Sequence, residues 1–219
     1  MRILFLVFFL FALLSVCVSE KTRNHGGQER RLQRTMPYSS AIEDTKFRRD
    51  GTVRDDFPCP EAAAIAPCEC SEDYNGNGLV LDCTAAEYND QLTEVFLQEF
   101  PVTEFYLFQI AHTYNLFNLN FSTNGVSFEE FAFCCGSMSI ESISEDVFRD
   151  SADRVVRIEI SNSEVTSNGF PFEMISEFPV LEEFSIYVSK LTEMPVIESE
   201  SMIELDLEEN QISALNPGK

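Results

Sequence analysis

Two adjacent thiols, Cys134 and Cys135, are the residues of this chain with the most chemical scope. Such a pair offers a redox switch, a metal site or a nucleophile. The chain also supplies His112 and Asn162, and Cys, His and Asn are the residue types of a thiol-hydrolase triad. A second cysteine group, Cys59, Cys68, Cys70 and Cys83, lies toward the N-terminus. Between its last two members runs Asp73-Tyr-Asn75-Gly-Asn77-Gly78, the first half of a calcium-loop pattern. The bidentate Glu due at the twelfth position is Thr84, so we read an Asn- and Gly-rich turn there. No metal or cofactor is assigned.

What the thiols do depends on compartment. The chain begins with Arg2, an unbroken apolar run over 3–14 and then small residues, the three regions of a secretory signal. The run falls short of the ~20 residues of a membrane span. We therefore expect a signal peptide over 1–19, which takes Cys17 with it and leaves six cysteines in an oxidising compartment. Residues 20–56 mix charges with few clustered apolar residues and read as a flexible linker or pro-segment. From 57 onward five Lys/Arg face 30 Asp/Glu. That balance excludes nucleic-acid and anionic-membrane binding as primary roles and favours an extracellular protein partner with a basic surface.

The elements that must position these residues come from a repeat. Segments starting at Phe105, Phe128, Val155, Leu181 and Met202 share apolar-x-x-apolar-x-apolar, with a further apolar residue downstream in all but the first. Nineteen of the 20 template positions are apolar. The fourth-position residues Phe108, Phe131, Ile158, Phe184 and Leu205 are 21 to 27 residues apart, the leucine-rich-repeat range. One repeat cannot bury its apolar face, so stacked repeats form a parallel concave sheet. The expected fold is an α/β leucine-rich-repeat solenoid of about five repeats. A cap and short helix are expected over 57–100. Repeats follow over 101–219, with no C-terminal cap legible.

The C-P-x(6)-P-C-x-C…L-x-L-x-C run and the repeats resemble extracellular leucine-rich-repeat proteins with a disulfide-bonded N-terminal cap. They resemble in particular a secreted arthropod group labelled similar to the non-catalytic subunit of oplophorus-luciferin 2-monooxygenase. Sequence alone allows three pairings of the four cap cysteines; the resemblance implies Cys59–Cys70 and Cys68–Cys83. It also implies a binding or stabilising subunit and no enzyme.

The repeat register assigns the outward positions. The candidate binding residues are Glu130, Arg157, Glu159, Glu183, Tyr187, Glu204, Asp206, Glu208 and Glu209. Seven of 20 outward positions are acidic, about twice the density of the domain. Cys134 and Cys135 fall at the end of the second repeat strand, as a candidate vicinal pair. His112, Cys135 and Asn162 share a row in which any repeat lattice puts some trio by chance. A polar position after each strand is filled by Thr113, Gly136, Ser163, Ser189 and Asn210, where Asn would tie the turn most fully. The sequon Asn120-Phe-Ser122 is the one N-glycosylation signal. The expected function is a secreted protein-binding module, with a non-catalytic subunit of an extracellular complex as one such role; the alternatives are a cell-surface or matrix recognition protein and a thiol enzyme using Cys134/Cys135.

Overall fold

Two disulfides close the N-terminal region, Cys59–Cys70 and Cys68–Cys83. They brace a hairpin, β1 (Glu69–Glu72) antiparallel to β2 (Leu79–Asp82). β1 was not legible in the sequence, because its outward side chains are polar and exposed. The turn between the strands is the Asp73–Gly78 segment. The Asp73 carboxylate accepts from the Asn75 N–H (3.0 Å) and from the Asn77 side-chain amide (2.8 Å). This carboxylate is spent on holding the turn. Helix α1 (Asn89–Phe96) follows and buries Leu92, Val95 and Phe96 on one face.

The computed structural model describes residues 58–111, 116, 118–134 and 140–213, all in the unit Pro58–Lys219. The expected signal and linker segments, along with His112, Thr113, Cys135, Gly136 and Met138, lie outside the described residues.

Beyond α1 come β3 (Glu104–Ala111), β4 (Asn118–Leu119), β5 (Ser127–Cys134), β6 (Ser142–Ile143), β7 (Arg157–Ser161), β8 (Glu183–Tyr187) and β9 (Glu204–Asp206). Seven strands form one sheet in the order β1-β2-β3-β5-β7-β8-β9, and every pair after the hairpin is parallel. β4 and β6 make a second, two-stranded parallel sheet. The fold is thus a mostly parallel sheet with few helices, the crossovers carrying short 3-10 turns such as Phe172–Glu177.

Phenylalanine builds the core. Phe108, Phe131 and Phe133 project inward from neighbouring strands and meet at ring-centroid distances of 6.0–6.1 Å. Phe148, from the crossover, stands edge-on to Phe131 at 4.9 Å. Such rings bury a large apolar area with no polar atom to satisfy, which suits a dry interior. The fifth repeat departs from expectation: Leu205 is 39% exposed, and Leu207 only partly covered.

The polar row after the strands holds where it is described. The Asn210 amide donates to Ile186 O (2.6 Å) and Leu207 O (3.0 Å), and its oxygen accepts from Leu191 N–H (3.1 Å). Ser163 and Ser189 are both buried, with their hydroxyls 2.6 Å apart, and the Ser189 hydroxyl reaches Val165 O at 3.2 Å. Two short hydroxyls therefore do jointly what one amide does alone.

Candidate functional site: the outward face of the sheet

Parallel pairing without slippage puts the outward side chains in rows. Leu107, Glu130, Arg157, Glu183 and Glu204 are successive Cα partners from β3 to β9. Asp82, Gln109, Ala132, Glu159, Ser185 and Asp206 form the next row, which begins on β2. Tyr187 pairs with Ser161 in a third. Glu208 and Glu209 follow β9 and are exposed.

The two ends of these rows differ chemically. Toward β3–β7 the charges are satisfied within the protein. Arg157 Nη2 donates to Glu159 Oε2 at 2.7 Å, and its Nε lies 3.5 Å from Glu183 Oε2. Burial works against the Arg157 charge, but Glu159, Glu130 and Glu183 outweigh it, so its pKa is raised. Tyr187 OH donates to the other Glu159 oxygen (2.8 Å), and Tyr106 OH to Glu130 Oε1 (2.8 Å). Gln109 Nε2 donates to Asp82 Oδ2 at 2.6 Å. Burial pushes both tyrosines up to about 12, with the facing carboxylates adding to the effect. Burial also raises Glu130, and the Tyr106 hydroxyl and Arg157 only partly offset this.

Apart from Arg157, which reaches Glu183 on β8, no Lys or Arg stands among the outward positions of β8 and β9. Lys190 is the one Lys or Arg within 158–213, and it pairs with Glu164 away from the rows. Glu204, Asp206, Glu208 and Glu209 thus gather four carboxylates at this end of the sheet, and Asp206 Oδ1 accepts from the Glu208 N–H at 2.9 Å.

Two contributors were missed in the sequence. Asp82 was overlooked because its strand was counted with the cap and not with the repeats. Tyr106 sits between the inward Phe105 and the outward Leu107, at a position the strict template leaves undefined. Its signal was spatial: a Cβ on Gly78 would meet Tyr106 Cβ at 2.9 Å, so the hairpin turn packs directly on it.

Cys134 ends β5 opposite Ala111 and is 5% exposed, more covered than a rim position implies. Burial, reinforced by Glu159, pushes its thiol up to about 12. A reactive thiol needs the opposite shift. Its vicinal partner Cys135 lies outside the described residues, as does His112; of the triad row only Asn162 is described. It is exposed, with φ +52°. Val188 (φ +51°) and Glu209 (φ +54°) take the same turn in the next two repeats, so this row serves the backbone bend. Asn120 is exposed, immediately after β4. Among the described residues no cluster of His, Cys, Asp or Glu is disposed to hold a metal ion, and no helix is long and apolar enough to cross a membrane.

Comparison with known proteins adds one relative. The chain is 25% identical over 154 residues to the oplophorus-luciferin 2-monooxygenase non-catalytic subunit of Oplophorus gracilirostris. The match takes in 70% of this chain but only 42% of that protein's length. No family model matches the chain, and no solved structure does. The similarity is to a subunit described as non-catalytic, which is compatible with a binding module.

Proposed function

We propose that this chain is a secreted leucine-rich-repeat solenoid that binds another extracellular protein, as a non-catalytic member of a complex. The observation that carries the reading is the density of carboxylates at the β9 end of the outward rows. Glu130 and Glu159 are committed to Tyr106, Arg157 and Tyr187. Glu204, Asp206, Glu208 and Glu209 gather at the β9 end, and a basic partner surface docks on that acidic end. Complementary charge of this kind sets encounter rate and specificity, and it weakens with salt. The named role of the similar protein and the disulfides of the hairpin region support a non-catalytic, extracellular setting. A thiol enzyme at Cys134 is disfavoured by the upward shift of its pKa.

The test is affinity capture from the native secretions, with the wild-type chain and a Glu204→Gln, Asp206→Asn, Glu208→Gln, Glu209→Gln variant as baits. We expect a partner retained at low salt, released by raised salt and lost with the variant. Equal capture by both baits, insensitive to salt, would refute the acidic docking face.

A further inference from the structure

On the side of the molecule built by β4 and β6 lies a groove of about 1030 Å³. None of its lining residues belongs to the seven-stranded sheet. Its walls carry amides and hydroxyls, from Asn118, Ser142 and Asn168 among others, and carboxylates such as Glu173, beside the apolar surfaces of Phe172 and Pro195. This mixture of donors, acceptors and apolar faces suits a carbohydrate, whose rings offer hydroxyls at the rim and C–H groups on the face. The volume is at the upper end of the ~300–1,000 Å³ typical of ligand sites, room for more than one sugar ring.

Asn120 is itself part of the groove wall. The sequon it heads is anchored on both sides. Asn89 clamps its backbone, accepting from Asn120 N–H (2.9 Å) and donating to Asn120 O (2.9 Å). Phe121 is buried and stacks on Phe96 at 5.4 Å. Asn120 and Ser122, on either side of that anchor, are exposed. The fold thus fixes the sequon's backbone while leaving the acceptor side chain at the mouth of a sugar-compatible groove.

We infer that Asn120 carries an N-linked glycan and that its first sugars seat in this groove. The donor is an oligosaccharide on a lipid diphosphate. The C1–O bond to the diphosphate breaks, a bond forms between C1 and Asn120 Nδ2, the amide gives up one proton, and the lipid diphosphate leaves. The glycan then covers the β4–β6 side and leaves the acidic rows open. The inference rests on the secretory routing proposed above, and the test separates the two.

The full chain is produced in insect cells under its own leader and, in parallel, under a heterologous leader. Mass is read on the whole secretory-pathway pool, so that retention hides nothing. We expect peptide N-glycosidase in heavy-oxygen water to remove a glycan and leave labelled Asp at position 120. Asn120→Gln and Ser122→Ala should each abolish it, the second keeping the Asn itself. Unmodified Asn120 under the heterologous leader would overturn the inference. Modification under that leader but not the native one would strike the secretion reading alone. For the seat, hydrogen exchange over 142–145 and 167–173 should be several-fold slower with the glycan than after its removal; equal exchange would overturn the seating.

Discussion

At the scale of single residues, Glu130 shows how the same carboxylate can be outward in register and inward in chemistry. Burial raises its pKa despite Tyr106 and Arg157. An acid whose folded pKa lies above its unfolded value binds its proton more tightly when folded, so stability declines as pH rises through that interval. The interval opens at the ordinary glutamate range and extends upward. Urea titrations of the wild type and Glu130→Gln between pH 4 and 7 should therefore show the wild type losing stability relative to the variant as pH rises. The Gln keeps an acceptor for Tyr106 OH, so a pH-independent difference would count against the assignment. Cys134 makes a second case. With its thiol pushed up to about 12, little thiolate exists at pH 8. Peptide mapping after alkylation of folded protein at pH 8 should find Cys134 unlabelled, and rapid stoichiometric labelling would show that the burial is wrong.

At the scale of elements, the bend after each strand is a shared device filled by unequal residues. Asn162 tolerates positive φ, whereas Val188 is β-branched and strained there at +51°. The left-handed region costs an L-residue roughly 1–2 kcal/mol, and Asn recovers part of that. Val188→Asn should stabilise by about 0.5–1 kcal/mol in urea unfolding; a loss would mean that the half-buried Val side chain contributes more through packing. Gly169 illustrates the opposite constraint in the neighbouring crossover. A Cβ there would meet Glu141 O at 2.2 Å, and Gly169 O accepts from Ile143 N–H at 2.8 Å. Gly169→Ala should cost about 1–3 kcal/mol, measured in the same way.

At the scale of the whole molecule, charge opposes compaction. The chain carries a formal net charge of −22 at pH 7, and most of its basic residues precede the described fold. Self-repulsion on this scale destabilises the folded state and is screened by salt, the Debye length falling from about 30 Å at 0.01 M to about 8 Å at 0.15 M. Calorimetry at pH 7 should show Tm rising by about 2–4 °C across that range, equivalent to roughly 1 kcal/mol for a chain of this size. A Tm independent of salt would mean that ion pairs such as Arg154 with Glu104 and Glu129 already offset the repulsion.

Much of this was determined by sequence alone, because repetition converts a local pattern into a register. Once Phe108, Phe131, Ile158 and Phe184 are recognised as equivalent, the rows that join Glu130 to Arg157, Glu183 and Glu204 follow by counting. Helix α1 was legible for a similar reason, since Leu92, Val95 and Phe96 mark one helical face. Counting does not reveal what lies across a row or beside it. Tyr106 meets Glu130 across 24 residues of chain and Tyr187 meets Glu159 across 28. These contacts depend on side-chain reach and on the parallel pairing that sets β3 beside β5 and β7 beside β8. The burial of Cys134 and the groove beside Asn120 likewise come from segments packed from separate parts of the chain. Periodicity determines which side chains share a face; only tertiary packing decides which of their charges meet, as Glu159 meets both Arg157 and Tyr187.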